Sequence, residues 1–267
     1  MTAYIDPIHQ QKRPTLHTVT NSPFGLKVHC FLTHKCIPFE NIYGKASNLS
    51  KQIPMGKQVP VLTIDGVSKN DSTPIGIWLD ELYPDRPRLL PEDETLRQRI
   101  LDIDDWVTKQ LITLRFRASR FIDSGEPWSA IRRGWILGEL LNHTAPGGID
   151  YLKKFLWPLV YQVMPFISHM VRDADLDEPI AQSRDRICRE FIEHLDGGPF
   201  FANQTTPSLA DLATYPALVA QYFCGFPSAD FFLKYPELVA WAKRMEVHLQ
   251  GGMSMVPPRM VCRSLPA

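Results

Sequence analysis

A chain of 267 residues can fold as one large domain or two modest ones, and its 44% hydrophobic and 22% charged content is that of an ordinary globular protein. Its 29 Lys and Arg balance 29 Asp and Glu, so no net field draws it to nucleic acid or an anionic membrane. Cys30, Cys36, Cys188, Cys224 and Cys262 form no CxxC and no regular framework, and Met1 to Arg13 is polar, which together point to a reducing, cytoplasmic setting.

Residues 1 to 14 read as an irregular lead-in. Thr15 to Thr20 then alternates apolar and polar side chains like a strand, and the run stops at Asn21-Ser22-Pro23. Ser before Pro is a strong helix start, because the side-chain oxygen caps a free N–H and proline at the first helical position loses no needed donor. Apolar spacing through Phe24, Val28, Phe31 and Leu32 predicts a helix ending near Cys36. The Ser22 hydroxyl thereby sits at the positive end of a helix. There it can cap the first turn, or it can donate to an anion such as a thiolate just outside. Phe39 to Tyr43 and Val59 to Ile64 read as strands, Asp65-Gly66 as a two-residue hairpin turn, and Val67 to Lys69 as the returning strand. Asp71-Ser72-Thr73-Pro74 opens a second helix, apolar at Ile75, Ile77, Trp78, Leu79 and Leu82 and stopped at Pro84. A β-α-β unit, then a hairpin, then a helix is the thioredoxin-like plan.

Pro84 to Pro91 is a proline-rich connection and the natural boundary. Beyond it the pattern is helical. Leu96, Ile100, Ile103, Trp106, Val107, Leu111 and Leu114 keep a period near 3.6, which predicts one long helix from Glu92 to about Phe121 with Arg115, Arg117 and Arg120 on a solvated face. Pro127 to Leu141 reads as the next helix, broken by Pro146-Gly147-Gly148. Within Asp150 to Val171, the stretch Phe155 to Val171 has about the minimum length for a bilayer span. Pro158, Gln162, Pro165 and His169 interrupt it, so a buried, kinked helix is expected instead. Pro179 to Leu195 is another helix. Ser208 and Asp211 form a capping box, a folding element for a following helix whose apolar run suggests burial all round. Pro236 to His248 is the last helix, and the tail from Gly251 has no clear period.

The first of these regions resembles the N-terminal domain of soluble glutathione transferases. Ser22-Pro23-Phe24-Gly25-Leu26-Lys27-Val28 is similar to the helix start of the serine-using classes, tau in particular. Val59-Pro60-Val61-Leu62 resembles their strand entered through a cis proline, and Asp71-Ser72 their acidic-residue-plus-serine glutathione motif. The pieces stand in the family's order, and a looser likeness runs to about residue 250. The expected architecture is an α/β thioredoxin-like N-terminal domain (15–83), a linker (84–91), an all-α helical-bundle C-terminal domain (92–250) and a tail (251–267).

The resemblance implies glutathione as co-substrate, a homodimer, and a small hydrophobic electrophile as the second substrate. Asp71 can pair with the γ-glutamyl ammonium, and Ser72 with the N–H groups of its helix can take the α-carboxylate; the plain alternative for both is a helix cap. After a cis Pro60, the Val59 backbone would pair with the peptide like an added strand. Lys57 and Gln58 are placed to meet the glycine carboxylate. The loop from Pro54 to Pro60 is one residue longer than the family's, which leaves the choice between them open. Only a thiolate attacks, so Ser22 would stabilise the glutathione thiolate without itself becoming a nucleophile. Phe24, Trp106, Leu111, Phe116 and Phe223 are candidate walls of the substrate pocket, with Arg115 available to an anionic group, although aromatics at helical spacing are more often core. The competing readings are a non-catalytic binding relative and a glutathione-dependent isomerase or lyase. His29, Cys30, His34 and Cys36 lie close in sequence without four well-placed ligands, so no metal is expected and Cys30 reads as a small buried hydrophobe.

Overall fold

The structure, a computed structural model, describes residues 13–44, 53–56, 58–120, 126–143, 155–249 and 255–266. Strand β1 (Thr15–Thr18) is followed by helix α1 (Pro23–His34) and β2 (Glu40–Tyr43). Then come β3 (Val61–Ile64), β4 (Val67–Asn70) and α2 (Ser72–Leu82). The sheet order is β2-β1-β3-β4; β1 runs parallel to β2, and the other two pairs are antiparallel. This is the thioredoxin-like arrangement that the alternation predicts. Asp65 (φ +50°) and Gly66 (φ +84°) both lie in the left-handed region, which gives the β3–β4 turn the twist a two-residue hairpin requires. Leu16, Leu62, Phe31, Leu32, Ile75 and Leu79 bury completely between the sheet and its helices.

The helical part begins with α3 (Glu94–Trp106), continues through a π-helical segment (Val107–Ile112) and ends in α4 (Thr113–Arg117). The long helix predicted here is present from Glu94 to Arg117, with a π-helical turn inside it that apolar spacing does not register. Arg115 and Arg117, expected on a solvated face, are 7% and 4% exposed and point inward. Next come α5 (Pro127–His143), α6 (Trp157–Val163), α7 (Pro165–Met170) and α8 (Ile180–Leu195). The expected kink is present, because Met164 leaves the helical region ahead of Pro165. The expected burial holds on one face only, through Trp157, Tyr161 and Ile167. Leu159 and Val163 are 61% and 76% exposed, and Phe155, Leu156, Val160 and Phe166 are also on the surface. Among the described residues no helix is long and apolar enough to cross a membrane.

At the centre runs α9 (Leu209–Phe223), every residue of which is buried, with α10 (Pro236–His248) beside it. Asp211 accounts for its start. This fully buried carboxylate accepts from the Ser208 N–H at 2.9 Å and the Ser208 hydroxyl at 2.7 Å. It also accepts from the Phe201 N–H at 3.1 Å and the Trp241 indole N–H at 2.8 Å. Burial raises its pKa, and these donors pull the other way. The capping box is therefore a folding element, as predicted.

Two buried ion pairs join the parts. Lys27 on α1 places Nζ 2.7 Å from both oxygens of Asp104 on α3 and 2.8 Å from the Thr73 hydroxyl, which in turn donates to Asp104 at 2.6 Å. Lys35 donates to Asp80 at 2.7 Å and to the Pro87 carbonyl at 3.0 Å. Asp80 also accepts from the backbone N–H groups of Leu89 and Leu90. The proline-rich connection is held by these donors and acceptors, since proline itself offers no N–H.

Candidate active site

Strand register gathers the candidate residues. His17 of β1 lies opposite Val61 of β3, and Val61 opposite Asn70 of β4. The chain leaving β1, the chain entering β3 and the chain leaving β4 therefore meet at one end of the sheet. They carry Ser22, Val59-Pro60 and Asp71-Ser72 respectively, and both α1 and α2 begin there. Two helix N-termini at one edge favour negative charge.

Asn21 turns the chain with φ +62°, and the Ser22 N–H donates to the Val19 carbonyl at 3.1 Å. Ser22 is the N-cap of α1, and its Oγ accepts from the Gly25 N–H at 3.2 Å. A hydroxyl has one proton to give besides its acceptor sites. Capping uses an acceptor site and leaves the O–H free to donate, so the two readings of Ser22 are compatible at one atom. Gly25 is required, because a Cβ there would come 1.9 Å from the Thr18 Oγ1.

The Val59–Pro60 peptide is cis. The Val59 N–H and C=O take no partner among the described residues, while Val61, two positions on, is already in the ladder. Gln58 is exposed, and Lys57 lies outside the described residues. Asp71 occupies the N-cap position of α2 with φ +66° and ψ 126°, an uncommon conformation for a residue with a side chain, and its carboxylate makes no capping bond. It is exposed at the sheet edge, whereas Ser72 is 2% exposed. The expected cap is therefore not how this carboxylate is used.

Of the six candidate wall residues, Phe24 and Arg115 lie beside Ser22. Phe24 is half-buried in the first turn of α1, and Arg115 reaches across from α4 to place Nη2 3.4 Å from the Asn21 Oδ1. Burial lowers the Arg115 pKa to about 10, which leaves it charged at neutral pH. The other four pack elsewhere. The Trp106 indole donates to Glu190 at 2.7 Å on α8. Leu111 and Phe223 are in the core, and Phe116 packs between Tyr161 and Phe166. A cleft of about 440 Å³ is lined by Lys109, Thr113, Arg117, Glu178 and Arg186, and it includes none of the sheet-edge residues.

Cys30 is buried, which pushes its thiol well above the ordinary range, and burial pushes His29 down to about 4. Among the described residues no three His, Cys, Asp or Glu side chains come together as a metal site. Sequence reasoning missed Asn21 as the residue that positions Ser22, and the Lys27–Thr73–Asp104 link behind it. A non-glycine residue ahead of Ser-Pro that must take positive φ was a signal for the first, since Asn tolerates that conformation. The second joins residues 77 positions apart and leaves no local signal.

Residues 16–87 match the N-terminal domain family of glutathione S-transferases. Glutathione S-transferase U9 of Arabidopsis thaliana is 29% identical over 94 residues, 34% of this chain and 39% of that protein. The chain spans between 35% and 43% of the lengths of the curated relatives it matches. Across nearly the whole chain the fold is similar to that of rice GST1 in complex with glutathione, at 19% identity and a TM-score of 0.57 over 93% of each chain. It is likewise similar to human glutathione transferase theta-2, at 20% identity and a TM-score of 0.61 over 92% of this chain and 88% of the other.

Proposed function

We propose that the chain is a member of the soluble glutathione transferase superfamily, as the match of residues 16–87 supports, that it binds glutathione at the sheet edge and that it uses Ser22 to hold the thiolate for attack on a small hydrophobic electrophile. The observation that carries this reading is the Ser22 hydroxyl, which accepts from the Gly25 N–H and so keeps its own proton for an acceptor outside the helix. Asp71 would take the γ-glutamyl ammonium, and the N–H groups at Ser72 the α-carboxylate. The Val59 backbone would pair with the peptide after Pro60, and Lys57 or Gln58 would meet the glycine carboxylate. Support comes from an Asp71 carboxylate not spent on capping and from Val59 backbone groups with no partner among the described residues.

In this reading residues 15–83 hold glutathione and residues 92–250 hold the electrophile, with Phe24 and Arg115 nearest the sulfur. The protein works as a cytoplasmic homodimer. Lowering the thiol's pKa raises the thiolate fraction at neutral pH, and the α1 dipole adds to the serine hydrogen bond. Turnover of a general aryl halide electrophile should fall about 10²–10³-fold in Ser22→Ala, the cost of removing a donor aimed at developing charge, while glutathione affinity changes little. Equal turnover in the two proteins rejects the role given to Ser22.

A second reading, a binding relative without catalysis, is favoured by one observation: Ser22 is only 9% exposed. Glutathione uptake with no conjugation, isomerase or lyase activity in the unaltered protein would select it.

A further inference from the structure

In the helical part a small cavity of about 20 Å³ lies between α4, α5 and α9. Arg115, Arg133, Arg184, Gln221 and Leu111 contribute to its lining. Arg115 and Arg133 are 7% and 3% exposed. Arg115 Nη1 and Arg133 Nε are buried and have no hydrogen-bond partner among the described residues. Among the described residues the bonds these two side chains make go to neutral oxygens: Arg115 to the Asn21 side chain, and Arg133 to the Gln221 side chain at 3.1 Å and to the Pro227 carbonyl. Arg133 also lies over the Phe226 ring.

Glu126 and Asp230 act through space on Arg184, and Glu126 also on Arg133, but among the described residues no carboxylate accepts a hydrogen bond from Arg115 or Arg133. A water molecule could satisfy the free N–H groups, yet it would leave two buried guanidinium charges beside one cavity in a region of low dielectric. Burial of charge without a counter-charge costs several kcal/mol per ion. An anion removes both deficits at once, and 20 Å³ is room for one occupant of water or halide size.

We propose that Arg115 and Arg133 form a binding site for a single halide-sized monovalent anion, in the cavity they share with Gln221. Its chemistry is that of a charge-assisted donor set with one acceptor at the centre. Occupancy neutralises the pair and fixes Arg115, whose other nitrogen holds Asn21. The anion thereby ties the helical part to the turn that positions Ser22 without touching glutathione.

The test compares the thermal unfolding of the full chain in sodium bromide and in sodium gluconate at equal ionic strength, without glutathione. Bromide at several times its dissociation constant should raise the midpoint by about 2–4 °C in a saturable manner. In Arg133→Met the bromide-dependent part of the rise should disappear. Equal midpoints in the two salts, or an undiminished rise in Arg133→Met, overturn the proposal. Should that variant not fold, a crystal of the unaltered protein grown in bromide decides: an anomalous peak between the two guanidinium groups supports the site, and its absence at saturating bromide refutes it. Because no glutathione is present, neither result bears on the role given to Ser22.

Discussion

The protein buries two kinds of cation, and they are treated differently. Lys27 and Lys35 each meet a carboxylate at 2.7 Å, and those carboxylates also accept from the Thr73 hydroxyl or from backbone N–H groups of the linker. Among the described residues Arg115 and Arg133 meet only neutral oxygens and keep unpaired N–H groups. The lysines are structural: each closes a junction, α1 to α3 for Lys27 and α1 to the linker for Lys35. Arg115 reaches the turn before Ser22, and Arg133 lies deeper, against Gln221, Pro227 and Phe226. A charge that is fully paired holds a fold together, whereas a buried charge left unpaired is held in place by its surroundings and is available to a ligand.

Removing the partner from one lysine breaks the contrast and should have the largest effect. Asp80→Ala leaves Lys35 buried without a counter-charge and strips acceptors from Leu89 and Leu90, so unfolding in urea should show a loss of about 3–5 kcal/mol. A loss under about 1 kcal/mol would mean that the pair is no more than a surface contact. Replacing an arginine sharpens the contrast. Arg115→Met removes an uncompensated cation, so in gluconate its stability should stay within about 1.5 kcal/mol of the unaltered protein. In bromide the variant should fall further behind, since the unaltered protein alone gains the anion. A difference that is the same in both salts would place Arg115 with the lysines as a structural cation.

The smallest effect belongs to a half-exposed pair. Hydrogen bonds from Arg186 and Ser183 hold the Glu178 carboxyl down at about 2, against an ordinary 4.5. A depressed pKa means that the folded form binds the proton less readily. The stability gained is complete above about pH 4.5 and fades as the pH falls to about 2. Glu178→Gln should therefore trail the unaltered protein at neutral pH by up to about 1 kcal/mol and draw level with it near pH 2. A gap that persists unchanged into acid would assign the effect to packing.

Much of the sheet and its two flanking helices is legible in the sequence, because alternation, a Ser-Pro start and an Asp-Gly turn are local signals. The same is true of Ser208 and Asp211, three residues apart. The inward turn of Arg115 is not legible, since its partner Asn21 is 94 residues away and the pattern around it reads as an ordinary charged helix end. The Lys27–Asp104 pair is hidden for the same reason. The α6–α7 region shows the converse limit. Pro165 announced the break, but hydropathy cannot say which apolar face finds a neighbour, and Leu159 and Val163 did not. At the site, the three pieces were legible one by one. The register that brings them to one end of the sheet comes only from the strand pairings.

The account turns on whether the Ser22 hydroxyl acts on the sulfur of bound glutathione, and the ultraviolet absorbance of the bound thiolate, followed across a pH series, reports this directly. The titration should fall well below that of free glutathione in the unaltered protein and return toward the free value in Ser22→Ala. Coincident titrations in the two proteins, with glutathione bound in both, would contradict it.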